Sequence, residues 1–353
     1  MTEDNAFYES SKRSSSGGPI IAAIDLGTNS CRLLVAKVDG QSYRIIDSFS
    51  RVVRLGENVH TTNRLSEEAI ERTMVALRIC KDKIVQNNVV SLRAVTTEAC
   101  RRAVNRDELI SRARTEIGLH VEIITPEEEA RLALSGCAGV LNTRIPNAIA
   151  FDIGGGSTEV MWLSIKEPRR LHRRRFPIIE VLDCISLPCG VVTLSDKYEN
   201  QSYDEGVYKE IRDFVCSELT EFSKRNGIDS YAQAQRVQMV GTSGTVTTLA
   251  AITLGLQKYD RKAIDGVFLE AADAHRISQE IFSMDQQQRS QHPCIGKGRT
   301  DMVVMGTAIL EGIFDTWPIP RLRVADRGVR EGILMELIKG TNARRGGTNH
   351  FRR

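Results

Sequence analysis

Apolar and polar positions along the chain fall into two series with the same order. Each has a pair of strands around a glycine- and hydroxyl-rich turn, then a third strand, then helices alternating with strands. In the first series the apolar runs 20–24 and 33–36 flank the turn Asp25-Leu-Gly-Thr-Asn-Ser30, and 43–53 supplies the third strand. Two apolar strands bracketing such a turn predict a β-hairpin. Ser66, followed by Glu67, Glu68 and the stripe Ala69, Ile70, Thr73, Met74 and Leu77, predicts an amphipathic helix over 66–87. Strand 89–95, helix 106–117, strand 120–124 and helix 126–140 complete the series.

The second series opens with strands at 147–152 and 157–164 around Asp152-Ile-Gly-Gly-Gly-Ser157-Thr-Glu159, a repeat of the first turn 127 positions later. Strand 178–186, helix 204–226, strand 236–240, helix 243–254, helices near 271–283 and 301–315, strand 321–325 and helix 329–339 follow. Interleaved strands and helices imply an α/β fold. The duplication implies two domains, 20–141 and 142–325, that grip a ligand in the cleft between them. Residues 326–340 form a C-terminal helix free to pack back on the first domain. The ends, 1–19 and 341–353, are polar, aperiodic and rich in Gly, Ser and Arg, so disorder is expected there.

A length of 353 residues suffices for two proper cores, and 41% hydrophobic with 26% charged residues is ordinary for a soluble globular protein. The net charge of +3 resides in the ends: Arg344, Arg345, Arg352 and Arg353 contribute +4 and residues 1–19 contribute −1, leaving 20–340 formally neutral. Anion binding must therefore come from local clusters. The eight cysteines show neither a C-x-x-C pair nor histidines at zinc spacing, and they read as reduced thiols of a cytoplasmic protein. No apolar run approaches the length that spans a bilayer, and the N-terminus lacks the apolar core of a signal peptide.

The two turns carry the first candidate chemistry. Glycines permit φ > 0 and close approach, so Thr28, Asn29, Gly154, Gly155 and Gly156 can present N–H groups to phosphate oxygens, with hydroxyl donors from Ser30, Ser157 and Thr158. The plain alternative is a flexible turn. Asp152 and Glu159 flank the second turn from opposite strands, where both can reach one Mg²⁺, a cation that takes one or two carboxylates and fills its shell with water and phosphate. A solvated charge pair is the alternative.

Thr125-Pro126-Glu127-Glu128 reads as a helix start, with Thr125 as N-cap and Glu128 closing a capping box. Glu129 has less of a structural explanation than its two neighbours. It lies on the flank next to Ala130, Ala133 and Cys137, where a partly desolvated carboxylate beside phosphates has the raised proton affinity of a general base. Gly241-Thr-Ser243-Gly244-Thr245 leads from a strand into a helix N-terminus, a ready anion site. Arg101 and Arg102 follow a strand end, where α/β folds place ligand groups, although solvated surface arginines are as common. The run Lys166, Arg169, Arg170, Arg173, Arg174 and Arg175 can be a solvated loop or a guide for a long anionic polymer. Apart from Phe176 it lacks interleaved aromatics, which disfavours nucleic acid as the partner.

Together, Ala23-Ile-Asp25-Leu-Gly-Thr-Asn-Ser30, Glu128-Glu129-Ala-Arg131, the triple-glycine run 152–159, Gly241-Thr-Ser-Gly-Thr245 and Asp326-Arg-Gly-Val-Arg330-Glu-Gly332 resemble the exopolyphosphatase and guanosine pentaphosphate phosphohydrolase (Ppx/GppA) family. The resemblance covers about 20–340. It implies a duplicated actin-like (ribonuclease H-like) ATPase fold with an interdomain cleft. It also implies a catalytic base at Glu129, magnesium at Asp152 and Glu159, and a phosphate site lined by both turns, the 241–245 turn and Arg101. Longer relatives continue into helical C-terminal domains that hold polymer, so short chains are the expected substrates here.

The reading that follows is a Mg²⁺-dependent exopolyphosphatase releasing orthophosphate from the ends of inorganic polyphosphate, with Arg173, Arg174 and Arg175 as polymer guides. Its nearest rival acts on guanosine pentaphosphate or tetraphosphate. Kinase-like or chaperone-like work and a non-catalytic nucleotide sensor are more distant, and intact Glu129, Asp152 and Glu159 weigh against the sensor. The oligomeric state stays open, with a homodimer as one option.

Overall fold

The two strand-turn-strand segments form the centres of two separate sheets. A computed structural model describes residues 18–166, 178–198, 204–296 and 298–347, with side chains up to 340. The first sheet contains β1 (Ile20–Leu26), β2 (Ser30–Asp39), β3 (Ser42–Val52), β4 (Ser91–Thr96) and β5 (Val121–Ile123) in the order β3-β2-β1-β4-β5. The second contains β6 (Asn147–Ile153), β7 (Thr158–Lys166), β8 (Ile178–Leu187), β9 (Val237–Thr242), β10 (Phe268–Glu270) and β11 (Arg321–Ala325) in the order β10-β11-β9-β6-β7-β8. Without the added edge strand β10, the second order reproduces the first, including which neighbours are parallel.

The repeat extends to irregularities. A bulge interrupts β2 between Val35 and Ala36, and another interrupts β7 between Trp162 and Leu163, again 127 positions on. Each turn is closed by the same bond: Gly27 N–H donates to Ser30 O at 3.0 Å, and Gly154 N–H to Ser157 O at 2.9 Å. The central strands are covered on both faces, which explains their unbroken apolar runs. Ile21, Ala22, Ala23 and Ile24 are fully buried, as are Ala148 and Ile149. The actin-like duplication read from the sequence is the fold of the chain.

Most long helices lie where periodicity put them. Glu67–Gln86 starts at Ser66, whose Oγ accepts the Ala69 N–H at 3.2 Å, and it buries Ile70, Met74 and Leu77. The helix predicted over 106–117 is ordinary only through Arg106–Arg112 and widens into a π-helical turn at Ala113–Ile117. Gly118, at φ 70°, ends it by donating its N–H to the Ala113 and Arg114 carbonyls. Thr125 caps Pro126–Cys137 as expected, but the Glu128 carboxylate goes to Arg93 at 2.6 Å. The capping box is therefore replaced by an ion pair.

The C-terminal helix, Val329–Gly347, runs past the expected end at 339 and takes in the first residues of the tail expected to be disordered. Ala343, Arg344 and Arg345 are good helix formers, so propagation costs little there. Its Ile333, Leu334 and Ile338 pack with Ile21, Ala23, Leu34 and Val95 of the first sheet. It crosses the helix Pro126–Cys137 at close range: a Cβ on Gly332 would lie 2.0 Å from Leu132 O, and one on Gly136 would lie 2.3 Å from Gly328 O. Glu336 fastens it further, accepting from Arg93 at 2.9 Å and pairing with Arg131. No described helix is long and apolar enough to cross a membrane.

Candidate active site

The sheet topology brings the two glycine-containing turns face to face. A Cβ on Gly155 would lie 3.0 Å from Thr28 Cβ and 3.3 Å from Asn29 N, and one on Gly156 would lie 2.8 Å from Thr28 Oγ1. Behind the turn, a Cβ on Gly190 would sit 2.4 Å from Gly155 C. None of Gly154, Gly155 and Gly156 has a positive φ. The glycine run therefore meets a demand for space, not the left-handed backbone that the sequence suggested. Among the described residues the N–H groups of Gly155 and Gly156 donate to nothing, and Asn29 Oδ1 is buried without a partner. Unsatisfied polar groups of this kind are costly in isolation and suit a polar ligand.

Carboxylates gather around the turns. Asp152 lies next to the end of β6 and stands directly across from Glu159 in the antiparallel register, so the two side chains share a face. Burial pushes the Asp152 carboxyl up to about 8, helped by the nearby charges of Glu159 and Asp25 and opposed by Arg32. Glu159 is only 3% exposed and accepts from Ser157 Oγ at 2.6 Å and Ser186 Oγ at 2.9 Å. Burial raises its proton affinity, and the two hydroxyl donors hold it back.

Glu129 joins this group from the helix Pro126–Cys137. Its Oε2 accepts from Arg101 Nη1 at 2.7 Å, while the same nitrogen donates to Ile124 O at 3.0 Å. Burial lifts the Glu129 carboxyl well above the usual range, the Glu159 charge adds to that, and Arg101 opposes both. Arg101, expected to hold phosphate, is thus engaged with carboxylates. To take a phosphate it must share or exchange them.

The strand-to-helix turn Gly241 to Thr245 serves packing as well. Ser243 Oγ caps the helix Gly244–Thr253 by accepting the Val246 N–H at 3.1 Å, and Thr242 Oγ1 donates to Arg327 O at 2.5 Å. Thr245 is buried where a Cβ on Gly306 would fall 2.0 Å from its Oγ1, and a Cβ on Gly241 would fall 2.6 Å from the Phe151 ring. Gly241 and Thr245 thus have structural explanations, whereas Gly244 heads a helix N-terminus. Arg173, Arg174 and Arg175 lie outside the described residues.

Residues 34–340 match the model of the Ppx/GppA phosphatase family. The chain belongs to that family. It is 29% identical over 330 residues to exopolyphosphatase 2 of Mycobacterium tuberculosis, covering 90% of this chain and 98% of that one. It is 28% identical over 320 residues to the guanosine-5'-triphosphate,3'-diphosphate pyrophosphatase of Aeromonas salmonicida, covering 91% of this chain and 60% of that protein. Among solved structures, the Ppx/GppA family member of Aquifex aeolicus superposes with a TM-score of 0.73 at 30% identity, covering 92% of this chain and 99% of that one. Members of the family are phosphatases, and this chain is accordingly a hydrolase of phosphate compounds.

Several residues of this Ppx/GppA site were missed as individuals in the sequence. Asp25 occupies in β1 the place of Asp152 in β6, and the spacing of 127 was the signal for it. Its carboxyl is raised by burial and steadied by Arg32 and Arg330, two guanidinium groups without a hydrogen bond or ion pair among the described residues. Ser186 reaches Glu159 from β8, a strand whose pairing no local pattern announces. Glu98 lies against the Gly156 turn and pairs with Arg101 at 3.1 Å. No group of three His, Cys, Asp or Glu side chains forms a ready metal cage among the described residues.

Proposed function

We propose that this chain is a Mg²⁺-dependent exopolyphosphatase that removes terminal orthophosphate from inorganic polyphosphate, favouring short chains. The observation that carries the reading is Glu129: a largely buried carboxylate of raised proton affinity, held by Arg101 and close enough to Glu159 and Asp25, which flank the two turns, to feel their charges. Such a group takes a proton from water as the water attacks the terminal phosphorus in line. The new P–O bond forms as the bridging P–O bond breaks, and the shortened chain leaves with the bridging oxygen. The N–H groups of Gly155 and Gly156 would offset charge on the transferring phosphoryl group, with Thr28, Asn29, Ser30, Ser157 and Thr158 around it.

Magnesium fits the donor set. Asp152 and Glu159 are hard oxygen ligands opposed in register, half-buried and buried respectively, and each made harder to ionise by its surroundings, a cost that a divalent cation relieves. Two carboxylates, with no third protein ligand grouped with them among the described residues, suit a cation that keeps water and phosphate in its shell. When bound, the ion would supply charge neutralisation at the transferring phosphoryl group. Ser157 and Ser186 hold Glu159 in place for it.

Polyphosphate is preferred because the relative named exopolyphosphatase 2 matches along 98% of its own length. A second reading, 5′-phosphate removal from guanosine pentaphosphate, is favoured by the Aeromonas relative's name. The eight unpaired cysteines suit a reducing cytoplasm. Phosphate release from polyphosphates of several lengths and from guanosine pentaphosphate, measured side by side with Mg²⁺, tests the assignment. Faster turnover of the nucleotide would reverse the order of the two readings, and release from neither would end both.

A further inference from the structure

Glu98 opens the short helix Glu98–Arg102, three residues before Arg101. Its Oε2 accepts from Arg101 Nε at 3.2 Å and from Nη2 at 3.1 Å, while Arg101 Nη1 is committed to Glu129 Oε2 at 2.7 Å and to Ile124 O at 3.0 Å. The guanidinium is therefore gripped at all three nitrogens, and a planar fork held in this way has a fixed orientation. The stem of Glu98 is confined as well. A Cβ on Gly156 would lie 2.7 Å from Glu98 Cγ and 3.0 Å from Glu98 Cβ, so the stem fills the gap between Arg101 and the glycine turn of the other lobe.

We propose that Glu98 is a positioning residue that holds Arg101, and through it aims the Glu129 carboxylate at the turns. The inference rests on the reading of Glu129 as the base. Without the acceptor at Glu98, Arg101 keeps only its bonds on the Nη1 side and can swing about them, carrying Glu129 off line. A displacement of about 1 Å in a reacting group costs on the order of 10²-fold in rate. The two bonds need an acceptor oxygen at that place, and a glutamine supplies one.

The test compares wild type, Glu98→Ala, Glu98→Gln and Glu129→Gln in steady-state hydrolysis of short polyphosphate or guanosine pentaphosphate, whichever the wild type turns over faster. Thermal melting serves as the control for folding. Glu98→Ala should lower kcat about 10- to 10²-fold with KM nearly unchanged, and Glu98→Gln should recover most of the loss. Wild-type kcat in Glu98→Ala, a change in KM alone, or a Glu98→Gln variant no better than Glu98→Ala would overturn the proposal. If Glu98→Ala fails to fold, Glu98→Asp, whose shorter stem withdraws the acceptor from Arg101, takes its place in the comparison. Near wild-type turnover in Glu129→Gln would instead overturn the underlying reading of the base. A dead Glu129→Gln beside an unaffected Glu98→Ala would leave that reading standing and remove only Glu98.

Discussion

Arg101 Nη1 lies 2.7 Å from Glu129 Oε2, and both side chains are only 14% exposed. A largely buried pair of this kind is a compromise: the cation keeps the carboxylate ionisable, while burial and the Glu159 charge work to protonate it. If Glu129 is the base, Glu129→Ala should cut kcat by about 10²–10⁴-fold with a smaller effect on KM. Steady-state kinetics with Mg²⁺ checks this, and a variant with near wild-type turnover would move the base elsewhere.

The same pair sets the pH dependence. A base acts when deprotonated, so activity should rise with pH through the Glu129 value in the free enzyme, and that value is shifted upward. The acidic limb of kcat/KM should therefore lie above the ordinary glutamate range. Since Arg101 is the group that opposes the shift, Arg101→Gln should move the limb to still higher pH as well as lowering the rate. A limb unmoved in Arg101→Gln would show that another group controls it.

The fold was legible in the sequence because it is written twice. Asp25, Gly27 and Ser30 recur as Asp152, Gly154 and Ser157, and each trio makes the same closed turn. Long periodic helices were equally readable, whereas Glu98–Arg102 and Val191–Lys197 are too short for any period to show. Glu129, Asp152 and Glu159 could be singled out from caps and strand ends. What they touch could not, since Arg101 is 28 residues from Glu129 and Ser186 is 27 from Glu159. Of the two reasons for the glycine run, a left-handed backbone is absent; the lack of a Cβ at Gly155 and Gly156 matters because Thr28, Asn29, Val192 and Glu98 press against them, a fact of lobe packing that no local pattern holds.

Asp152 and Glu159 yield a prediction that separates charge from shape. Asp152→Asn and Glu159→Gln keep the side-chain outlines and remove the charges that would attract Mg²⁺. Each should raise the Mg²⁺ concentration needed for half-maximal activity and lower the rate at saturation. Ser186→Ala, which frees Glu159 of one hydroxyl donor, should shift the titration less. Magnesium titrations of the three variants that overlay the wild type would remove the metal from this place.

Two glycines of the C-terminal helix should answer to alanine in opposite ways. A Cβ on Gly332 meets the Leu132 carbonyl at 2.0 Å, backbone that has no side chain to swing aside, so Gly332→Ala should destabilise by about 1–3 kcal/mol or more as the two helices are forced apart. Gly340 has nothing within 4 Å of its Cβ position and lies within the helix, so Gly340→Ala should gain up to about 1 kcal/mol from helix propensity alone. Urea midpoints measured side by side test both signs.

Chain length is the remaining question, and charge gives a way to approach it. The body of the chain is formally neutral, and its dense cationic stretch is Lys166, Arg169, Arg170, Arg173, Arg174 and Arg175. If the substrate is polyphosphate, a site between two turns would hold only the end of the polymer, and grip on the rest of a long chain would come from such a stretch. Changing Arg173, Arg174 and Arg175 to Ala should then weaken long-chain binding and flatten its salt dependence by the release of fewer counterions, while sparing the shortest substrates. If this stretch is the outer hold, the enzyme should let go between cleavages and act distributively. Gel analysis of a long-chain digest decides the matter: a ladder of progressively shortened intermediates supports distributive action, and full-length polymer passing straight to phosphate would show a hold on the chain that these three arginines do not explain.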